Sequence, residues 1–383
     1  MTQTPAYLEP KSHYKILDGL RGVAAMLVVA FHVLEANNGG SRFAQIINHG
    51  YLAVDFFFLL SGFVVAYAYD DRWGKMGQWE FYKRRLIRLQ PMVIMGSIIG
   101  AIFFYLQASP TMFPLISATP VWKMLLVMVI GFTLIPIPIS MDIRGWQEMH
   151  PLDGPAWSLF FEYIANILYA VIVRRFSKTV LAIFVAIFAG LLINYLVINF
   201  LIAKPQGDVI GGWSINTLQL SIGFTRLLYP FFAGVLLSRL GKLIHIKSAF
   251  AVCSLLVFVV LAIPRIGGPE HLWMNGLYEA FVIIIMFPLI VAIGAGGELT
   301  GKTANKVCKF FGDISYPIYI THYPLIYWYT AWVIDNKVPM GYSLCIGTLV
   351  LVSSIAIAYG CLKLYDEPVR EWLRKRFLVK KAA

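Results

Sequence analysis

The chain has 383 residues, of which 59% are hydrophobic and only 14% charged, and it carries a net charge of +12 and a mean hydropathy of +0.71. Soluble domains average about a quarter charged residues, so this composition excludes an ordinary soluble protein and points to an integral membrane protein. Apolar runs recur from residue 20 to residue 363, leaving no stretch for a separate soluble domain. One membrane domain over 1–383 is expected, closing in a basic cytoplasmic tail at 364–383.

The opening residues, "MTQTPAYLEPKSHYKILDGLR", form a long polar lead without a small-residue cleavage site, so the first helix is expected to remain as an uncleaved anchor. Eleven apolar segments follow, at roughly 20–35, 50–69, 86–106, 121–138, 157–174, 179–203, 217–240, 249–264, 276–294, 315–334 and 342–363. Spanning takes about 20 residues, and by length all read as helices. The segment at 121–138 is the doubtful one.

Lys and Arg collect in cytoplasmic loops, which decides the matter. If 121–138 does not span, 25 of the 32 Lys and Arg fall on the inner side and six outside (Arg42, Lys123, Arg144, Lys204, Arg265, Lys337), with Arg226 inside a helix. The expected fold is therefore all-α, with about ten transmembrane helices, both termini cytoplasmic, and one additional re-entrant or interfacial helix near 121–138. The positive charge is topology and gives no reason to invoke nucleic acid.

The four cysteines, Cys253, Cys308, Cys345 and Cys361, show neither CxxC spacing nor an outward-facing pair, so no disulfide framework and no metal site is expected. "GGELTGKT" at 296–303 matches the phosphate-loop pattern, but that pattern works only between a strand and a helix of a soluble α/β domain. Here it follows an apolar helix in a short basic loop and reads as a chance match. The basic tail reads as the ordinary inner-side flank.

An ionisable group inside a span costs at least roughly 2.5 kcal/mol, so it usually faces the protein interior and has a function. In "LDGLRGVAAMLVVAFH", Arg21 and His32 are eleven residues apart, which on a helix is three turns plus about 20° and a rise of about 16 Å. They share one face. Counting about 1.5 Å per residue, Glu162 and Asp55 each lie about 8 Å from the outer edge of their helices, and His322 lies near mid-depth. A histidine beside a carboxylate suits a general base with its orienting partner. Blander roles stay open: a helix-end carboxylate for Glu162, capping or snorkelling for Asp55, packing among tyrosines for His322. Glu35, one turn beyond His32, is the weakest of these candidates. Arg84, Arg85 and Arg88 enter the third helix, and Arg forks bind phosphate, so Arg85, Arg88 and Arg21 form a candidate anion site at the inner mouth.

Taken together, these residues resemble the acyltransferase-3 family of integral membrane O-acyltransferases, over about residues 14 to 372. The Arg21/His32 helix is similar to the family's first-helix signature, "DFFFLLSGF" to its second-helix motif, and Arg85 to Arg88 to its RxxR. "WSLFFEYIANILY" resembles the WSLxxE segment and puts its acidic residue at Glu162. "FGDISYPIYITHYPLIY" resembles the ISYxxYxxH helix, with Ser315, Tyr316, Tyr319 and His322, and "DEPVREW" the E-P-x-R element, with Glu367. The resemblance implies ten helices, a bacterial inner-membrane location, acyl-CoA (acetyl-CoA foremost) as donor substrate with no permanently bound cofactor, and a carbohydrate or glycolipid acceptor. Many members carry a further SGNH esterase-like domain; a stand-alone form is expected here.

The resulting expectation is that Arg85 and Arg88, helped by Arg21, hold the phosphates of acyl-CoA, while His32, oriented by Glu162, activates the acceptor hydroxyl or takes the acyl group itself. A proton-coupled transporter or flippase is the alternative, since intramembrane His, Asp and Glu also mark proton pathways. Yet the two halves show no repeat. Segment 107–156 is placed outside, where it would shape the acceptor site. Trp146, Trp157 and Trp213 suit sugar stacking, although anchoring at the membrane edge is the commoner use. The oligomeric state is left open.

Overall fold

The computed structural model describes residues 11, 13–38, 45–199 and 206–378. Among these residues the regular elements are all helical and no strand forms. Seven helices are long and apolar enough to cross a membrane. They are built from α1 (Lys15–Asn37), α2 (Ala53–Tyr69, entered through the turn Gly50–Leu52), α3 (Gln78–Phe103), α6 (Lys178–Ile193), α7 (Thr217–Leu240), α9 with α10 (Leu272–Phe281 and Phe287–Gly296), and α13 with α14 (Met340–Cys361 and Glu367–Phe377). Three shorter apolar helices join them: α4 (Val121–Gly131), α5 (Ala156–Val171) and α8 (Ala249–Ala262). The end of the expected segment 179–203, the tail beyond 378, and Arg42 and Lys204 lie outside the described residues.

Helix boundaries follow local chemistry. Ser177 caps α6 by accepting from Val180 N at 3.2 Å, and Asn216 caps α7 by accepting from Gln219 N at 2.9 Å; such caps satisfy amides that the first helical turn leaves open. The expected segment 315–334 is divided into α11 (Lys302–Thr321) and α12 (Tyr323–Asp335). Pro324 stands in the first turn of α12, where its missing N–H is harmless but would cost a bond in a continuous helix. His322 sits at that junction. Expected helix 121–138 stops at Gly131, and the prolines at 136 and 138 lead into an irregular segment that reaches Ala156.

α1 lies against α11 along much of its length and also meets α2, α8, α10, α12 and α13, so it is the spine of the bundle. α2 packs on α7 at backbone contact: a β-carbon on Gly62 would overlap Phe231 O, and one on Gly234 would overlap Leu59 O. Small residues that let helix backbones meet are the usual means of packing where water supplies no drive between helices. At the same interface Arg226 of α7 is 2% exposed and Asp55 of α2 is fully buried, Nη2 to Oδ2 at 2.7 Å. The guanidinium also donates to Tyr51 O and Gly211 O. Asp55 is thus a packing anchor of the fold.

The segment before α5 runs inside the bundle. A β-carbon on Gly100 of α3 would overlap Leu152 O, and one on Gly96 would stand 2.5 Å from Asp153 Oδ2. Fully buried Arg144 donates to Pro151 O through both Nε (3.0 Å) and Nη2 (2.7 Å), and to Gln107 Oε1 at 2.8 Å. Its guanidinium lies 3.7 Å from the Tyr327 ring centre. This hub holds the loop in, so α5 begins well below the bundle's end.

Candidate active site

A cavity of about 800 Å³ opens between α1, α2, α3, α5, α11 and α14. It runs along α11 from Asn305 to Tyr319, about 21 Å of helix at 1.5 Å per residue. Of the residues singled out in the sequence, Arg21, Arg85, Arg88 and Glu162 line it, as do Ser315, Tyr316, Tyr319 and Glu367. Seven lysines and arginines face four carboxylates around it. The cavity is therefore electropositive, and its lysines are Lys15, the first residue of α1, and Lys306 and Lys309 in the N-terminal half of α11.

The arginines differ in how they are neutralised. Arg21 reaches Asp18 at 3.3 Å, one turn away on α1. Arg85 donates from Nη2 to Glu162 Oε1 at 2.5 Å, and Ser61 donates to the same oxygen at 2.6 Å. Its Nε has no partner. Arg84 is occupied by Glu80 at 2.9 Å, in the favourable i,i+4 order. Arg88 makes no hydrogen bond or ion pair with any described residue and is the cation freest to meet an anionic ligand. Glu367 is held by Lys363 at 2.5 Å, and Arg370 by Asp366 at 3.1 Å.

Glu162 is the main correction to the sequence reading. It was expected beside His32, at a similar depth below the outer edge. Because α5 starts inside the bundle, Glu162 instead stands level with Arg85, and it lies within electrostatic reach of Arg21, which is about 16 Å along α1 from His32. The carboxylate partner of His32 is Glu35, Nδ1 to Oε2 at 2.9 Å, a pair one helical turn apart. The weakest candidate of the sequence reading holds that place.

At the deep end, Tyr319 OH and Ser158 Oγ are 2.8 Å apart, and Ser158 donates to Pro155 O. Tyr316 OH donates to Leu89 O at 2.6 Å, and Ser315 Oγ to Gly312 O at 2.9 Å. Beyond this wall the Tyr319 and His322 ring centres are 6.2 Å apart, and those of His322 and His32 are 5.9 Å apart in a stack tilted by 27°. His322 is fully buried; its Nδ1 meets Ile318 O at 2.9 Å, and its Nε2 has no hydrogen-bond partner among the described residues. A carbonyl only accepts, so Nδ1 carries the proton and Nε2 keeps a lone pair. His32 and His322 thus form an imidazole pair adjacent to the cavity, while Asp55 belongs to neither group.

Sequence reasoning overlooked Asp18, Ser61, Ser158 and Arg370. Asp18 three residues before Arg21, Ser158 four before Glu162 and Arg370 four after Asp366 carry a helical-spacing signal. Ser61 carries none, since only the crossing of α2 and α5 brings it to Glu162. The phosphate-loop pattern at 296–303 lies between helices α10 and α11, without the strand its mechanism needs. Among the described residues no cluster of His, Cys, Asp or Glu is arranged to hold a metal ion.

A family model described as an acyltransferase domain matches residues 14–362. Protein 2 in the picA locus of Rhizobium radiobacter is 34% identical over 167 residues, covering 42% of this chain and 83% of that protein. The O-acetyltransferase OatA of Staphylococcus aureus (strain NCTC 8325 / PS 47) is 24% identical over 370 residues, covering 93% of this chain and 57% of OatA. The chain thus spans a little over half the length of that relative. No solved structure matches it. The family match takes in α1 through α13, and with it the imidazole pair and the cation-lined cavity apart from Glu367 and Arg370; the chain belongs to the acyltransferase-3 family.

Proposed function

We propose that this chain is a membrane O-acyltransferase that moves an acyl group, acetyl foremost, from cytoplasmic acyl-CoA to a hydroxyl of a cell-surface or exported glycan. The observation that carries this reading is the closeness of the cation-lined cavity to the imidazole pair. An electropositive cavity some 800 Å³ in volume ends at Tyr319, whose ring lies 6.2 Å from that of His322. Phosphates of the donor meet Arg88, Arg85, Arg21 and the mouth lysines, because a guanidinium fork matches phosphate geometry. The thioester end lies toward Tyr319 and the imidazoles.

In this reading His32 is the general base, its Nδ1–H held by Glu35 so that Nε2 faces the acceptor hydroxyl. The acceptor oxygen forms a C–O bond at the thioester carbonyl, the C–S bond breaks, the hydroxyl proton passes to imidazole, and the thiolate takes up a proton. Nε2 of His322 is the alternative acceptor of that proton. Glu162 positions Arg85 and Ser61 at the donor cavity and does not orient His32. The accompanying topology is ten crossings with both termini cytoplasmic in a bacterial inner membrane, supported by the charge sorting of the loops. It puts the basic cavity mouth, with the first turns of α1 and α11, on the acyl-CoA side. The relative OatA is named for O-acetyl transfer, which supports acetyl as the group moved.

The test is purified protein in bilayers with labelled acetyl-CoA on one side and glycan acceptors on the other. Label is expected on acceptor hydroxyls and is expected to vanish in His32→Ala. Binding of acetyl-CoA to wild-type protein without transfer to any hydroxyl acceptor would overturn the reading.

A further inference from the structure

Behind the wall of the transfer cavity lies a second polar cluster, on the loop that dives into the bundle before α5. Asp153 is 2% exposed, and among the described residues neither of its carboxylate oxygens has a hydrogen-bond partner. His150 is 5% exposed, with Nε2 unpartnered. Glu148 accepts from Tyr327 OH at 2.5 Å through Oε1, while its Oε2 lies 3.5 Å from Arg144 Nε as an ion pair and has no hydrogen-bond partner among the described residues. Buried polar groups are bonded in the great majority of proteins, and each exception requires an explanation.

The contrast with Glu279 excludes a general looseness of polar groups. Glu279 is equally buried, yet it accepts from Tyr51 OH at 2.6 Å, Asn275 Nδ2 at 2.9 Å and Val209 N at 2.9 Å. That network is closed and needs no ligand. The Asp153 cluster is open, and it borders a void of about 10 Å³ lined by Ser97, His150 and Asp153 among apolar neighbours. A void of about 10–15 Å³ with two to four polar partners is what a single water requires.

The geometry points to a water-bearing proton-relay site here. Asp153, His150 and Ser97 hold one water molecule, and the water with the Asp153 carboxyl passes protons behind the Tyr316–Tyr319 wall of the cavity. The relay's use rests on the acyl transfer proposed above. Acylation of a hydroxyl by a thioester releases one proton from oxygen and places one on sulfur, so none is gained or lost overall. The proton must be held between those events. The imidazole of His32 holds it first; the Asp153 carboxyl gives up its own proton toward the thiolate and takes one back from the imidazole through the water, so that it ends as it began.

The surroundings suit that role. Asp153 lies within electrostatic reach of Tyr316 and Tyr319 of α11, both of which line the transfer cavity. The other titratable or charged groups facing the cluster are Arg144, Glu148 and His150 from its own segment and Tyr323 and Tyr327 from α12. Burial, with Glu148 adding to it, pushes the Asp153 carboxyl well above the usual carboxylate range. Burial pushes the His150 imidazole down to about 3. Burial thus favours the uncharged form of both side chains.

The experiment is infrared difference spectroscopy of the purified protein at neutral pH, together with transfer assays. A protonated-carboxyl C=O band is expected that disappears in Asp153→Asn and shifts on exchange from H2O to D2O. Ser97→Ala changes no charge and is expected to move the same band by removing a water partner. In the transfer assay, Asp153→Asn is expected to lose at least tenfold in rate and to change its pH profile, with acetyl-CoA affinity unchanged. The proposal is overturned if no band depends on Asp153, if that band ignores D2O, or if Asp153→Asn transfers acyl groups at the wild-type rate and pH profile. Should wild-type protein transfer nothing, the functional reading fails, while the infrared arm still decides whether the water-linked carboxyl exists.

Discussion

Asp55 and Glu162 look alike in the sequence, each a lone acid about 8 Å into an apolar helix, and each proves to be paired with an arginine. Their surroundings separate them. Around Asp55–Arg226 exposure is 0–2%, and every nitrogen of the guanidinium is bonded to the carboxylate or to a backbone carbonyl. Around Glu162–Arg85 it is 12–16%, and the pair forms one wall of the large cavity beside Arg88; among the described residues Arg85 Nε has no hydrogen-bond partner and Arg88 makes no ion pair. A closed ion pair has no valence left for a ligand and serves the fold. An incompletely satisfied one facing a cavity with surplus positive charge is equipped to bind an anion.

The sharpest way to break this comparison lies just beyond the deep end of the same cavity. His32→Ala is expected to reduce acyl transfer by about 10²–10⁴-fold, the range for losing a general base, while acetyl-CoA binding measured by calorimetry stays at the wild-type level. A variant that transfers normally would detach the imidazole pair from the cavity. Next in size, Asp55→Ala leaves Arg226 buried without its counter-charge and is expected to cost about 3–5 kcal/mol in detergent unfolding experiments. The fraction that remains folded should bind acetyl-CoA normally. Glu162→Gln should show the opposite signature, with a small change in unfolding and a clear loss of transfer. If the two variants behave alike, the distinction between closed and open pairs is wrong.

A third measurement concerns the loop that sets the level of Glu162. Burial pushes the Glu148 carboxyl up to about 7, with Arg144 pulling against it. The folded protein thus keeps a proton that the unfolded chain releases near pH 4.3, the usual glutamate value of about that size. Stability is then highest below that value and falls as pH rises through about 7, by up to ~3 kcal/mol in total. Glu148→Gln should remove the decline, so that the melting-temperature difference from wild type widens between about pH 5 and about pH 8. Parallel curves would return Glu148 to the class of ordinary carboxylates. The smallest expected effect is that of Arg88→Ala. With no hydrogen bond or ion pair to a described residue to lose, it should leave unfolding nearly unchanged and weaken acetyl-CoA binding roughly tenfold, about 1.4 kcal/mol. Equal affinity would move the phosphate contact to Arg85 and the lysines.

How far the sequence could be read depended on the kind of relation involved. Arg21 and His32 on one face, or Arg85 beside Arg88, follow from helical periodicity. The non-spanning character of segment 121–138 was inferred from basic-residue sorting, and the helix there is only Val121–Gly131. The pairing of Glu162 was misread because depth was counted from the apolar edge of α5. That count assumes that a helix starts at the membrane surface, and Arg144 draws the preceding loop inward. Glu35 was undervalued because its salt-bridge geometry depends on rotamers that spacing alone does not specify.

The sequence alone therefore determined the helical class, the family resemblance and the residues that could carry chemistry, because hydrophobic length and periodic spacing are local properties. Only the tertiary structure decided which carboxylate meets which cation. Partners such as Ser61 with Glu162 or Asp55 with Arg226 are more than a hundred residues apart. Their contact is set by helix crossings at Gly62 and Gly234 and by a loop packed against Gly100, where backbones meet at distances that leave no room for a β-carbon, and against Gly96, where the Asp153 side chain takes that room.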